Sequence, residues 1–378
     1  MSIPRTASNA VMSDKRELHS TDLSIGGRRF TAGIGCEFPS PRSIRTFVLI
    51  LILSSFLAPT MPARAGERPG TPASEGNINV LWVEPADLAS RNLLYGPAGK
   101  DHQPQGPMTF LDEDLNGTNP KFDVRDANGG KWRVKLGAEA RPEVVASRLL
   151  WAVGYFSDQD YFLPELKIEN LPAHLHRGQH LVGTNGTVHA VRLERHIAGE
   201  KKLGEWHWKE NPFTGTRELN GLRVMMALIN NWDLKDQNNS IYCESANSSE
   251  KHYVVSDLGA TFGTTGFSWT ETKSKGNLNS YGHSKFIKKV SSDHVDFNVP
   301  TRPVWIRIVS LPAFIRRLGM RSIGKHVPRA DAKWMGSQLG RLSSTQIRDA
   351  FRAAGYSSDE VEAFAQVLER RISELNRL

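Results

Sequence analysis

The chain has 378 residues, with 48 Lys and Arg against 40 Asp and Glu, a net charge of +8, and 39% hydrophobic residues. That length can bury a large core, and so mild a basic excess gives no argument for a nucleic-acid partner. The two cysteines, Cys36 and Cys243, lie on either side of an apolar segment, so a chain cleaved between them forms neither an internal disulfide nor a Cys-based zinc site.

The first 65 residues differ from the rest. Arg42 and Arg45 precede an apolar run, Phe47 to Leu57, which is followed by Ala63-Arg64-Ala65. A basic flank, a short apolar stretch and an A-x-A site predict a secretory signal peptide cleaved after Ala65, or an uncleaved anchor. Either one exports the remainder as a periplasmic, secreted or membrane-anchored protein outside the cytoplasm. A misassigned start site is the alternative, and would leave the protein cytoplasmic. Removing 1–65 takes away eight basic and four acidic residues and halves the charge excess. Residues 66–78, rich in Pro, Gly, Ser and Thr, read as a linker. Two lobes are expected beyond it, a strand-rich one over 79–195 and a helical one over 196–378.

Leu81 to Ser90 reads as helical or extended. Phe110-Leu111-Asp112 reads as a strand closed by a turn at 116–120, and Lys121 to Asp126 as a second strand. Asn128-Gly129-Gly130 is a hairpin turn into a third strand, Lys131 to Leu136. Pro142 to Val153 has helical periodicity, with Pro142 in the first turn and Gly154 as the stop. A loop-rich stretch leads to a strand over Thr187–Arg195. Leu219 to Asn230 is an apolar helix and Tyr253-Val254-Val255 a short strand. Helices are expected at about 304–318, 331–340, 344–354 and 358–376, the last two capped at Ser343-Ser344-Thr345 and Ser357-Ser358-Asp359. The fold class is α+β.

Two acidic motifs carry the chemistry: Asp233-Leu234-Lys235-Asp236-Gln237-Asn238, and Ser256-Asp257-Leu258-Gly259 after the strand ending at Val255. Phosphoryl transfer needs its phosphates held, its charge neutralised by a metal and the attacking oxygen aimed in line. Upstream, Asn116-Gly117-Thr118-Asn119-Pro120-Lys121 lies between two strands where backbone amides can cradle phosphate. Lys135 ends the third strand, and Glu143 in the next helix can pair with it, with Glu139 as a rival for that role. His174, His176, His180 and His189 lack the spacing of a metal site, and Trp206-His207-Trp208 reads as core or as an aromatic patch facing a partner. The basic run Arg316-Arg317, Arg321, Lys325, Arg329 and Lys333 is a solvated face, or a surface for acidic substrates or membrane.

In this order the motifs resemble those of atypical kinases: the HipA-type and phosphoinositide-kinase-like enzymes, and the secreted Fam20-like and spore-coat CotH-like kinases. The resemblance covers roughly 108–262. It implies a two-lobed protein-kinase-like fold and transfer of phosphate from ATP, with Mg or Mn, to a hydroxyl on a protein, lipid or small molecule. Asp233 would then orient the acceptor hydroxyl, Lys135 would contact the phosphates with Glu143 steadying it, and Asn238 and Asp257 would bind the metal. Gly117, Thr118 and Lys121 would lie along the phosphates, and Glu194, in Arg192-Leu193-Glu194-Arg195, near the adenine. The chain departs from the family in having one glycine in its phosphate loop, and Leu234-Lys235 where phosphoinositide kinases often carry Arg-His. A non-catalytic, exported binding or scaffold protein on the same frame is the alternative function, and AMP transfer is a further variant.

Overall fold

The computed structural model describes residues 78–117, 119–245, 248–264, 274–300, 315 and 319–378. The chain divides at Gly70 and Thr71 into two units. The first, which holds the expected signal segment and the start of the linker, lies outside the described residues, as do the rest of the linker up to 77 and the helix expected at 304–318 apart from Ile315. No helix among the described residues is long and apolar enough to cross a membrane.

The second unit begins with β1 (Ile78–Val80), followed by a barrel of β2 (Met108–Glu113), β3 (Lys121–Arg125), β4 (Lys131–Lys135), β5 (Asp160–Glu169) and β6 (Thr187–Arg195), closed in the order β2-β3-β4-β6-β5. Strict alternation in the sequence decides what each face holds. Phe122, Val124, Trp132, Val134, Tyr161, Val191 and Leu193 are buried together as one apolar core. Each such side chain contributes about 1.5–3 kcal/mol on leaving water. The intervening residues are charged, and the register sets them in rows across the other face. Lys121 pairs with Lys135, which pairs with Arg192; Asp123 pairs with Arg133, which pairs with Glu194 and then Asp160.

Helix α1 (Ala140–Ala152) crosses this charged face and buries Val144, Val145, Leu149 and Leu150 in a second, larger apolar core. That core also takes in α2 (Arg217–Leu228) and the C-terminal helices α4 (Arg329–Gly340), α5 (Ser344–Ala353) and α6 (Ser358–Asn376). Ser343 and Ser357 cap α5 and α6, each in a reciprocal pair with the residue three positions on, Gln346 and Glu360. Arg371 of α6 is fully buried and donates to Leu228 O, Asn230 Oδ1 and Tyr281 O. Asn230 ends α2 with φ of 54°, a left-handed turn that asparagine tolerates. Arg371 therefore fixes the place where α2 hands over to the loop carrying Asp233.

The stretch expected to be loop-rich between α1 and β6 contains β5, whose Pro164 hid a ten-residue strand paired with β2 and β6. Nor is the C-terminal half helical throughout. β7 (Lys201–Gly204), β8 (Asn239–Cys243) and β9 (Glu250–Val255) form a sheet ordered β1-β9-β8-β7. After a short helix, α3 (Leu278–His283), strands β10 (Ile287–Val290), β11 (His294–Phe297) and β12 (Val327–Pro328) form a third sheet. These strands are short, and tertiary pairing rather than local propensity decides them. Leu81 to Ser90, read as helical or extended, holds an isolated antiparallel bridge from Trp82 to Tyr155 and a 3-10 turn at Leu88–Ser90.

Candidate functional site

The charged face of the barrel, the start of α1, the α2–β8 loop and the residues after β9 enclose a cleft of about 820 Å³, within the range of small-molecule sites. Gly117, Lys121, Lys135, Glu143, Glu194, Asp233, Asn238 and Asp257 all line it. Thr118 lies outside the described residues.

The centre of the cleft is the Lys135 ammonium. It sits 2.9 Å from Glu139 Oε2, 2.9 Å from Glu143 Oε2 and 3.0 Å from Asp257 Oδ1. Lys135 reaches both glutamates because the chain turns within a few residues from the end of β4 into α1, which packs over β5 and β6, and Glu139 and Glu143, four apart, share one helical face. Both glutamates thus contact the lysine, so the two rivals are both partners. Burial opposes the charge on Lys135, but Asp257, Glu143 and Glu139 hold its pKa well above the ordinary lysine value. Burial also works against Glu139, yet Lys135 and Lys275 bring its carboxyl down to about 2. Lys275 Nζ lies 2.5 Å from Glu139 Oε1, and Asn119 donates to the other oxygen of that carboxylate.

Glu143 is buried further. Arg192 is its second cation, at 3.3 Å, and shares its charge with Asp160 and Glu194. Desolvation pushes the Glu143 carboxyl up to about 8 against Arg192 and Lys135, with Asp257 and Asp160 adding to the rise. Its Oε1 finds no hydrogen-bond partner among the described residues. Among the described residues, five carboxylates, Glu139, Glu143, Asp160, Glu194 and Asp257, form ion pairs with three cations, Lys135, Arg192 and Lys275. Oxygen atoms of Glu139, Glu143 and Asp257 lie within 4.8 Å of one another. A surplus of carboxylate around a buried, unpartnered oxygen suits a hard divalent cation.

On the opposite wall, the hairpin of β8 and β9 explains why motifs nineteen residues apart meet. Asn239 pairs with Val255, and Ser256 N–H donates to Asn238 O at 2.9 Å, so Asn238 and Asp257 flank one strand end. The Asn238 side-chain nitrogen donates to Asp233 O at 2.6 Å. Its carboxamide oxygen is thereby left as the atom to offer a metal. Asp233 is held by its own N–H, which donates to the buried Asn231, and its Oδ2 lies 2.7 Å from Lys235 Nζ. Gly259 is required by close approach, since a Cβ there would stand 2.5 Å from Glu139 Cβ. Gly117 has φ of 71° and open space where a side chain would stand, and its carbonyl accepts from Arg177 Nη1.

Lys275 and Lys235 received no role from the sequence, although both line the cleft, and Asn119, read only as part of the phosphate turn, adds its side-chain contact with Glu139. Lys235, two residues after Asp233, was findable from its spacing. Lys275 was not, because only folding brings it to Glu139. The acidic triplet at 112–114 caps loops: Glu113 accepts from the backbone of His176 and Arg177, and Asp114 pairs with Lys121 and Arg133. Trp206 and Trp208 are buried as core, while the four loop histidines form no metal-ligating group among the described residues. Arg316 and Arg317 lie outside the described residues.

No protein-family model matches the chain, and no curated protein matches it. Among solved structures, the fold is similar to a Helicobacter pylori proinflammatory kinase, CtkA (TM-score 0.41, 10% identity, 72% of this chain and 98% of that one). It is also similar to the Golgi casein kinase (TM-score 0.34, 8% identity, 78% and 76%), and to the same kinase with Mn and ADP bound (TM-score 0.33, 10% identity, 72% and 73%).

Proposed function

We propose that the protein is an atypical kinase-like phosphotransferase. The observation that carries this reading is Lys135, bridged to Glu143 of α1 and to Asp257 after β9, in a cleft that also holds Asp233 and Asn238. A bound metal–nucleotide would supply the transferable phosphoryl group and neutralise its charge. Asp257 and Asn238 would hold the metal, with Glu139 in reach. Lys135, Lys121 and the Gly117 backbone face the space where phosphates would lie. Asp233, anchored by Asn231 and beside Lys235, is placed to orient a hydroxyl and accept its proton. The acceptor, on a protein, lipid or small molecule, would enter on the Asp233 side.

The test is thermal stability of residues 66–378 with manganese and ATP, beside Asp257→Ala, followed by nucleotide hydrolysis. A metal-dependent rise in Tm that the variant loses, with turnover, supports the reading. Binding without turnover leaves a nucleotide-binding scaffold, and no shift in either protein refutes a nucleotide site. Export through the Phe47–Leu57 segment belongs to the same proposal, and N-terminal sequencing of the native protein checks it.

A further inference from the structure

A second set of metal-ligating side chains converges away from the cleft, on the β10-β11-β12 sheet. His294 and Asp296 are two apart on β11, so the pleat sets them on one face. Val295 pairs with Val327 in antiparallel register, which brings His326, just before β12, opposite Asp296. One donor atom from each of His294, Asp296 and His326 lies within 4.8 Å of the others. The two imidazole rings stand 4.9 Å apart at 31°, and His326 N–H donates to Asp296 Oδ1 at 2.8 Å.

Two observations separate this from a chance surface cluster. His294 Nδ1 lies 2.9 Å from Asp293 Oδ1. A carboxylate only accepts, so Nδ1 carries the proton and Nε2 keeps the lone pair that metals bind. Metal-ligating histidines ordinarily have such a carboxylate behind them. The second observation is His326, held at φ of 50°, a left-handed backbone that costs a non-glycine residue about 1–2 kcal/mol. That conformation places its ring beside His294.

We infer that His294, Asp296 and His326 form a divalent transition-metal site, suited to zinc, that ties β11 to the entry of β12. Two imidazoles and one carboxylate, with water as fourth ligand, make a donor set zinc accepts. Ligand atoms around tetrahedral zinc lie roughly 3.3 Å apart, so side-chain rotation must close the site by about 1–1.5 Å. Lys289 stands opposite Asp296 in the register of β10 and β11 and is exposed, so its ammonium can stay in water as a metal binds, at little cost.

The experiment is zinc binding to the chelator-stripped full chain, by equilibrium dialysis and by competition with a chromophoric chelator. Cobalt serves as the spectroscopic probe of tetrahedral nitrogen ligation. Wild type should hold one zinc equivalent that Asp257→Ala retains, separating this site from the cleft. His294→Ala and His326→Asn should each weaken binding at least about tenfold, and Asp293→Asn by roughly 10–100-fold. Asparagine is chosen at 326 because it tolerates the left-handed backbone, so loss of zinc there is not loss of fold. No zinc retained by wild type against micromolar free ion, or unchanged affinity in both histidine variants, overturns the inference. Loss of the equivalent in Asp257→Ala alone would assign the zinc to the cleft and equally overturn it.

Discussion

Replacing Lys135 by Met removes one ammonium from between three carboxylates while nearly preserving volume. Taking one partner from a buried charge cluster costs about 3–5 kcal/mol. The lower end applies, because Glu139 keeps Lys275 and Glu143 keeps Arg192; only Asp257, the most exposed of the three, loses its contact with a cation here. At roughly 2–4 °C per kcal/mol, a loss of about 3 kcal/mol lowers Tm by about 6–12 °C. The pH dependence gives a sharper check. Burial raises the Glu139 carboxyl, and Lys135 with Lys275 more than reverses this, from 4.5 to about 2. A depressed carboxylate contributes stability that is present above its unfolded pKa and lost as pH falls through the folded one. The deficit of Lys135→Met should therefore be full at neutral pH and narrow as pH falls from 4.5 toward 2. Manganese without nucleotide should restore part of it, since the three carboxylates would then share a cation again. Urea denaturation across pH, with and without manganese, measures both effects. A deficit under about 1 kcal/mol, or one that widens on acidification, would refute the charge balance argued for the cleft.

Asp233→Asn should keep nucleotide affinity within about twofold while lowering metal-dependent nucleotide hydrolysis by about 10²–10⁴-fold; equal losses of binding and turnover would place Asp233 in binding instead. Gly259→Ala drives a Cβ into Glu139 and should cost about 1–3 kcal/mol by chemical denaturation, together with weaker manganese binding. An unchanged denaturation midpoint would mean the Asp-Leu-Gly turn is looser than described. Asp123 meets Arg133, Lys131 and His196, and although burial opposes ionisation these contacts hold its carboxyl below the ordinary aspartate range. Asp123→Asn should thus destabilise the protein near neutrality, with a deficit that shrinks only below about pH 4. A deficit independent of pH down to acid unfolding would show that Asp123 acts by packing alone.

The local sequence determined what local physics governs. Period-two alternation from Lys121 to Leu136 set one apolar and one charged barrel face, Asn128-Gly129-Gly130 set the hairpin between them, and the serines at 343 and 357 set two helix starts. The spacing inside each acidic motif also marked Asp233, Asn238 and Asp257 as residues for one site, because the hairpin that unites them spans few residues. What the sequence left undecided depends on partners distant along the chain. β5 became a strand because β6 and β2 pair with it, despite its proline. Glu139 and Glu143 were rivals in sequence, yet the short turn from β4 into α1, with α1 packed over β5 and β6, gives both to Lys135. Lys275 meets Glu139, and His326 meets His294 and Asp296, across separations in the chain that no local pattern bridges. The residue types needed for chemistry were written locally, whereas the charges that tune them were assembled only by folding.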